Sequence, residues 1–272
     1  DGLRIDHPDG LSDPCSYCCA LQQLWREAAP AAMASQPAPL LVEKILASHE
    51  HLPADWPVAG TTGYDAARVL DGLFIDPAAA PALSRLYARF IGQRLDIEQL
   101  LHDRRKLIMG NMLGSELSML ANLASAIARS DRETRDFTYQ GLRQALAEIA
   151  AGFPVYRTYV TRQHCTDEDR RHVRWALALA RRNSRAADQL VFDFLGRLLL
   201  LERLAHHSAR VRRQVVQFCL RFQQFTAPVM AKGLEDTTCY VYNRLISLNE
   251  VGGDLRLLGV SVSAFHQANR QR

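Results

Sequence analysis

No stretch of the 272-residue chain approaches the about 18 consecutive apolar residues that a membrane-spanning helix needs, so a membrane partner is not expected. No basic segment followed by an apolar core opens the chain, so no secretory leader is signalled, and the cytoplasm is the expected compartment. Aromatic residues are sparse, at 8%. None of them forms a stacking platform beside the basic clusters Arg104-Arg105-Lys106, Arg170-Arg171, Arg181-Arg182 and Arg212-Arg213. The formal charge of +4 is therefore read as solvated helix faces, and nucleic acid is not expected as a partner. The six cysteines offer no second pair at zinc spacing. Cys15, Cys18 and Cys19 cluster as C-x-x-C-C, but Cys165, Cys219 and Cys239 stand alone, so neither a metal nor a cofactor is expected. The cluster is read as small free thiols around the buried face of a helix in a reducing compartment. No internal repeat of 20–50 residues emerges, which excludes a solenoid.

What is present is enough hydrophobic material, 48% of residues against 23% charged, to bury a large core or two smaller ones. Residues 1–75 read as strand, helix, strand. GLRID is a short apolar strand, and Asp13-Pro14 starts a helix that runs to about Glu27. LLVEKIL has the near-continuous apolar run of a parallel strand buried on both faces. The Ala/Pro connector PAAMASQPAP between them is expected to be an exposed loop. Residues 76–225 read as helices with apolar residues at i, i+3, i+4 and i+7. They cover ALSRLYARFIG, IEQLLHDRRKLIMGNMLGSELSMLANLASAIAR, YQGLRQALAEIAAG, a helix capped by Thr166 with Asp169, and stretches near 187–204 and 209–225. VYRTYV, within 153–160, reads as a short strand. Residues 226–272 read as a return segment, with one helix from APVMAKGLEDTT to Gly252-Gly253 and a last short one capped by Ser261.

Two acidic residues stand out by position. Asp6 ends the first strand and Glu43 ends the apolar part of the second, where loops to helices begin. In an eight-stranded α/β barrel the active site lies at such strand ends. Neighbouring strands run about 4.8 Å apart, so two such carboxylates can reach the roughly 5–5.5 Å separation used by a retaining glycosidase. An acidic strand end that is merely solvated is the alternative.

GLRIDH resembles the second conserved region of the alpha-amylase superfamily of glycoside hydrolases, and VEKIL resembles the third. More narrowly, DGLRIDHPDGLSDP, VEKIL, LPADWPVAGTTGYD, FPVYRTYV, TAPVMAKGLEDT and YNRLISLNEVGGD resemble, in that order, sequence blocks of the maltooligosyl trehalose synthases. The resemblance implies an α/β fold with a large all-helical insertion. The architecture would be a partial (β/α)8 TIM barrel that is mostly α by residue count. It implies a malto-oligosaccharide substrate whose reducing-end α-1,4 bond is converted to an α,α-1,1 trehalosyl end by a retaining double displacement. Asp6 would be the nucleophile, and Glu43 the proton donor and then the base. Arg4, two residues before Asp6 on one strand face, would favour the Asp6 carboxylate.

His7 and Asp9 would contact sugar, or Pro8-Asp9-Gly10 is simply a turn with Asp9 bonding its own backbone. GTTGYD has the make-up of a sugar-subsite loop, with Thr61, Thr62, Tyr64 and Asp65 as its candidates, or it is structural. Lys44, Lys232, Glu235 and Asp236 are further candidates, of which the KGLEDT residues either line the site or cap the following helix.

The superfamily's first region and its third catalytic carboxylate find no counterpart. The chain is thus expected to be an internal piece, inactive alone, with an oligomeric state that the sequence does not give. An α-glucan hydrolase or glucanotransferase of the same superfamily, or a non-catalytic helical scaffold, are the other readings.

Overall fold

A computed structural model describes residues 2–30, 33, 35–184 and 189–270, and they form two compact units. The first comprises the described residues of 1–100 and 235–272, and the second is Leu101–Leu234. These divisions differ from the sequence boundaries at 75/76 and 225/226. Helical periodicity reports a local pattern and does not say which neighbour a helix packs against.

The first unit is built on a three-stranded, all-parallel sheet of β1 (Leu3–Ile5), β2 (Leu40–Val42) and β3 (Gly60–Thr61) in the order β1-β2-β3. The register pairs Ile5 with Val42 and Val42 with Thr61, so Asp6, Glu43 and Thr62 follow as the next row at the three C-terminal ends. Helix α1 (Pro14–Ala28) starts where expected. Asp13 caps it by accepting the Ser16 N–H at 3.0 Å, and Pro14 occupies the first turn, where its missing N–H removes nothing. On its inner face Cys18 is fully buried and Gln22 nearly so. The Gln22 amide satisfies Ala38 in both directions, at 2.7 and 3.0 Å, and donates to the Pro57 carbonyl at 2.8 Å. It thereby pins the approaches to β2 and β3 on one side chain. All six thiols are free. Part of the connector 30–39 lies outside the described residues.

The sheet is not buried on both faces within this chain. Leu40, Val42, Lys44 and Leu46 are buried, whereas Leu41 between them is 42% exposed. The apolar run of LLVEKIL therefore hides an alternation, with Arg4, Leu41 and Glu43 on the open side. GTTGYD also departs from a plain loop, because its first two residues are β3. Gly63 then turns at φ 91° into α2 (Tyr64–Leu73), a left-handed value that glycine tolerates.

Helix α3 (Ala80–Ile91) ends at Gly92 with φ 73°, and α4 (Ile97–Asn111) leads into the second unit. The return segment closes the first. Arg68 on α2 donates to the carbonyls of Leu46, at 2.9 Å, and Gly252, at 3.3 Å. At Gly252 a Cβ would lie 2.9 Å from that of Tyr64, which explains the glycine. A short helical turn, α10 (Cys239–Val241), and α11 (Val262–Arg270), with Ser261 accepting the Ala264 N–H at 3.1 Å, complete it. The single helix expected through Gly252-Gly253 is not formed, since the helix stops at Val241 and only a 3-10 turn, Ile246–Leu248, follows before Gly252.

The second unit packs α5 (Gly114–Ala128), α6 (Tyr139–Ala151), α7 (Asp167–Asn183), α8 (Gln189–Leu199) and α9 (Ala209–Gly233) around buried leucines and Phe153, Phe192, Phe218 and Phe222. Thr166 and Asp169 form the reciprocal capping box that the sequence signals. The start of the stretch expected near 187–204 lies outside the described residues. Helix α9 runs through Pro228, because Ala227 and Val229 are fully buried and tertiary packing outweighs the lost backbone bond. VYRTYV is not a strand: it opens in a bend at Val155 and Tyr156 and continues without regular structure. Its backbone polar groups bond side chains instead of a ladder. The Val160 N–H donates to Gln223 Oε1 at 2.6 Å, Gln223 Nε2 returns to the Val160 carbonyl at 3.0 Å, and the Tyr159 N–H donates to Asp169 Oδ1 at 2.9 Å.

Candidate active site

Parallel pairing brings the two predicted carboxylates together. Glu43 N–H donates to the Ile5 carbonyl at 2.9 Å, which sets Asp6 and Glu43 side by side at adjacent strand ends. One guanidinium spans both. Arg4 donates through Nη1 to Asp6 Oδ1, and its Nη2 lies 3.0 Å from Glu43 Oε1. The strand period puts Arg4 and Asp6 on one face, as expected, and the register adds Glu43 to it.

Burial is graded across the trio. The Asp6 side chain is 75% exposed and that of Glu43 only 21%. Tyr64, at the start of α2, donates its hydroxyl to Glu43 Oε1 at 3.3 Å, and the His7 backbone N–H donates to Oε2 at 3.1 Å. Each Glu43 oxygen thus has its own donors. His7 reaches this position through a left-handed backbone, φ 41° and ψ 58°, unusual for a residue with a side chain.

The electrostatics separate the groups. The hydrogen bond from Arg4 holds the Asp6 carboxyl below the usual carboxylate range, helped by contact with Glu43 and by the charge of Arg4. The same bond pushes the Arg4 guanidinium up. Burial raises the Tyr64 phenol, and the charge of Glu43 adds to it, with a smaller contribution from Glu235, so Tyr64 remains a donor. The arrangement presents an ionised, exposed carboxylate beside a second carboxyl group that is sheltered and oriented.

The other expected residues fall into four groups. Thr62 lies in the row of Asp6 and Glu43, and Glu235 stands close enough to influence Tyr64, while Asp236 beside it is exposed. Thr61 and Asp65 bond each other at 3.0 Å, and the Thr61 hydroxyl accepts the Gly63 N–H at 3.2 Å, so both hold the turn into α2. Lys232 sits on the last turn of α9, in the second unit.

Asp9 and Lys44 are not open to a sugar. They are 3% and 1% exposed, and Lys44 Nζ lies 3.4 Å from Asp9 Oδ2 and 2.7 Å from Glu50 Oε1. Lys44 follows Glu43 by one residue and so points to the opposite, covered face with Leu40 and Val42. The 3-10 turn at Pro8–Gly10 forms as one of the two readings held, but Asp9 is turned inward to Lys44. Glu50 escaped the sequence reading. The signal that could have pointed to a partner is the parity of Lys44, which shares the core positions 40, 42 and 46 and requires a buried counter-charge. Among the described residues no cluster of His, Cys, Asp and Glu suits a metal ion.

Comparison with known proteins bears on this geometry. No protein-family model matches the sequence. Over 266 residues, 98% of the chain, it is 32% identical to a Mycobacterium tuberculosis (strain CDC 1551 / Oshkosh) protein named "Putative maltooligosyl trehalose synthase". The structure of maltooligosyltrehalose synthase from Arthrobacter ramosus superposes on the whole chain with a TM-score of 0.80 at 33% identity, and 31% of that chain is covered. A DSM5389 glycosyltrehalose synthase structure does so with a TM-score of 0.70 at 30% identity, and 29% of it is covered. The resemblance to maltooligosyl trehalose synthases therefore holds along essentially the full chain. The chain spans about 30% of the length of the curated relatives it matches.

Proposed function

We propose that this chain carries the nucleophile and the acid/base of a maltooligosyl trehalose synthase. The single observation behind this reading is the Arg4 bridge between Asp6 and Glu43 at adjacent parallel strand ends, on the sequence blocks that resemble the family. The three-stranded sheet is read as consecutive strands of a (β/α)8 barrel whose remaining strands lie outside this chain, consistent with its open face. Residues 1–75 then form part of the catalytic barrel, the helices an insertion, and the C-terminal segment a return toward it.

The chemistry follows from the graded exposure. Asp6 attacks C1 of the glucose unit preceding the reducing-end residue. Glu43 gives its proton to the departing O4, and a covalent glycosyl-enzyme forms with retention in prospect. The released glucose stays in the pocket and turns, and its anomeric hydroxyl loses a proton to Glu43 as it attacks C1. The ester to Asp6 breaks, leaving an α,α-1,1 bond. Arg4 favours the Asp6 carboxylate as attacking and leaving group. Tyr64 and the His7 N–H orient Glu43, and in this reading Thr62 and Glu235 meet sugar hydroxyls.

The test uses the whole protein that carries this chain, incubated with maltopentaose. Reducing ends should disappear as a trehalosyl product accumulates, and Asp6→Asn and Glu43→Gln should each lower that rate by several orders of magnitude. Unchanged rates in both variants would leave a scaffold role standing. Glucose or shortened glucans as the main product would instead indicate a hydrolase or an ordinary glucanotransferase. The isolated 272 residues are expected to show no isomerisation.

A further inference from the structure

We propose that the buried Asp9, Lys44 and Glu50 cluster is a positioning device that ties together the two loops carrying the catalytic pair and thereby aims Glu43. The inference rests on the reading of Asp6 and Glu43 as that pair. Lys44 follows Glu43 directly and points to the covered face of the sheet, where its ammonium meets three acceptors: Glu50 Oε1 at 2.7 Å, the Ile45 carbonyl at 3.1 Å and Asp9 Oδ2 at 3.4 Å. These partners come from different loops. Asp9 lies on the Pro8–Gly10 turn after β1, and Glu50 lies after β2, anchored by the Ala47 N–H at 3.0 Å to its other oxygen. One fully buried ammonium thus joins the loop that follows Asp6 to the loop that follows Glu43.

The geometry supplies a route to Glu43. Asp9 is two residues from His7, and the intervening Pro8 has a fixed φ, so holding Asp9 restrains His7. His7 keeps its left-handed backbone, and that conformation directs its N–H to Glu43 Oε2 at 3.1 Å. With the ammonium removed, Asp9 loses its tie to the loop after β2, the restraint on His7 weakens, and the His7 N–H is less firmly held on Glu43 Oε2. Asp6 keeps its own support from Arg4 on β1. The deficit should therefore fall on proton donation more than on nucleophilic attack.

This separation is measurable in the whole protein. On maltopentaose, Lys44→Met and Glu50→Gln should lower kcat by about 10- to 100-fold, with KM changing by less than about twofold, as expected for a catalytic group displaced by about 1 Å. With α-maltotriosyl fluoride, the ester from Asp6 to C1 forms as the C1–F bond breaks, and fluoride leaves without needing a proton. Fluoride release in the first turnover, before Glu43 is needed as base for the acceptor that breaks the Asp6 ester, should thus stay within about threefold of the unsubstituted protein. The ratio of the two rates on one preparation is independent of the folded fraction, so partial unfolding cannot imitate the result. Equal losses on both substrates, or no loss on maltopentaose, would overturn the positioning role. If Asp6→Asn leaves both rates intact, the assignment of the catalytic pair itself has failed, which is a separate result.

Discussion

Lys44→Met is the most informative change for stability, because it retains much of the stem and deletes only the ammonium. In the folded chain that ammonium sits 2.7 Å from Glu50 and 3.4 Å from Asp9, with all three side chains no more than 5% exposed. Removing one member of a buried ion cluster takes the counter-charge from the others, at about 3–5 kcal/mol. With urea m-values of about 1–3 kcal/mol/M, the midpoint of unfolding should fall by at least about 1 M. Burial opposes the Lys44 charge, but Asp9 and Glu50 outweigh it and the ammonium is held above its ordinary pKa. Its contribution is fully present below the ordinary lysine value and is lost only as pH rises through the folded one.

Glu50 is pushed up by burial, more than Lys44 pulls it down. Its folded form therefore favours the proton, and its contribution weakens as pH rises above the ordinary glutamate range. Without Lys44 the main opposition to that push is gone, and the Ala47 N–H remains. The deficit of the variant should then be largest near pH 7 and shrink toward pH 4 as the carboxyl takes up its proton. The double variant Lys44→Met with Glu50→Gln should recover part of the loss at pH 7. A deficit below about 1 kcal/mol at pH 7, set against the 3–5 expected, would refute the account. So would a deficit that does not change with pH.

Two further outcomes test other parts of the structure. Gln223→Leu removes both hydrogen bonds to the Val160 peptide in a fully buried setting. Urea unfolding should show a loss of about 2–6 kcal/mol, at about 1–3 for each of the two groups, and a loss within about 0.5 would mean that another partner satisfies Val160. Arg4→Met should move the acid limb of kcat/KM of the whole protein to higher pH. The hydrogen bond from Arg4 holds Asp6 below the ordinary range, and its removal lets Asp6 protonate, and so stop attacking, at a less acidic pH. An acid limb that stays in place would show that Asp6 does not set it.

The comparison of sequence and structure turns on range. Asp13 and Thr166 mark helix starts through contacts within three residues, and both caps form as read. Asp6 and Glu43 were legible as strand ends because a short apolar run followed by an acid is a local pattern, and the motif GLRIDH gave that pattern a family. The break expected between the stretch at 209–225 and the helix that begins with Ala227 is not formed, because α9 continues through it. A proline is a local stop signal, and only the burial of its neighbours carries α9 through it. VYRTYV misled likewise, since β-branched and aromatic residues favour extended backbone but do not say whether a strand or a glutamine will answer it.

The sequence by itself determined the order of strand, helix and strand, the caps, the positions of the two carboxylates and the resemblance that gives them roles. All of these depend on residues within a few positions of one another or on the words they spell. Only the tertiary structure decided that β2 is covered on one face, that Arg4 bridges both carboxylates, and that Lys44 turns inward to Asp9 and Glu50. Those outcomes depend on which strands pair and in what register. A shift of one residue in β2 would have exchanged Glu43 with Lys44, placing the lysine at the open end of the sheet and the acid in its core.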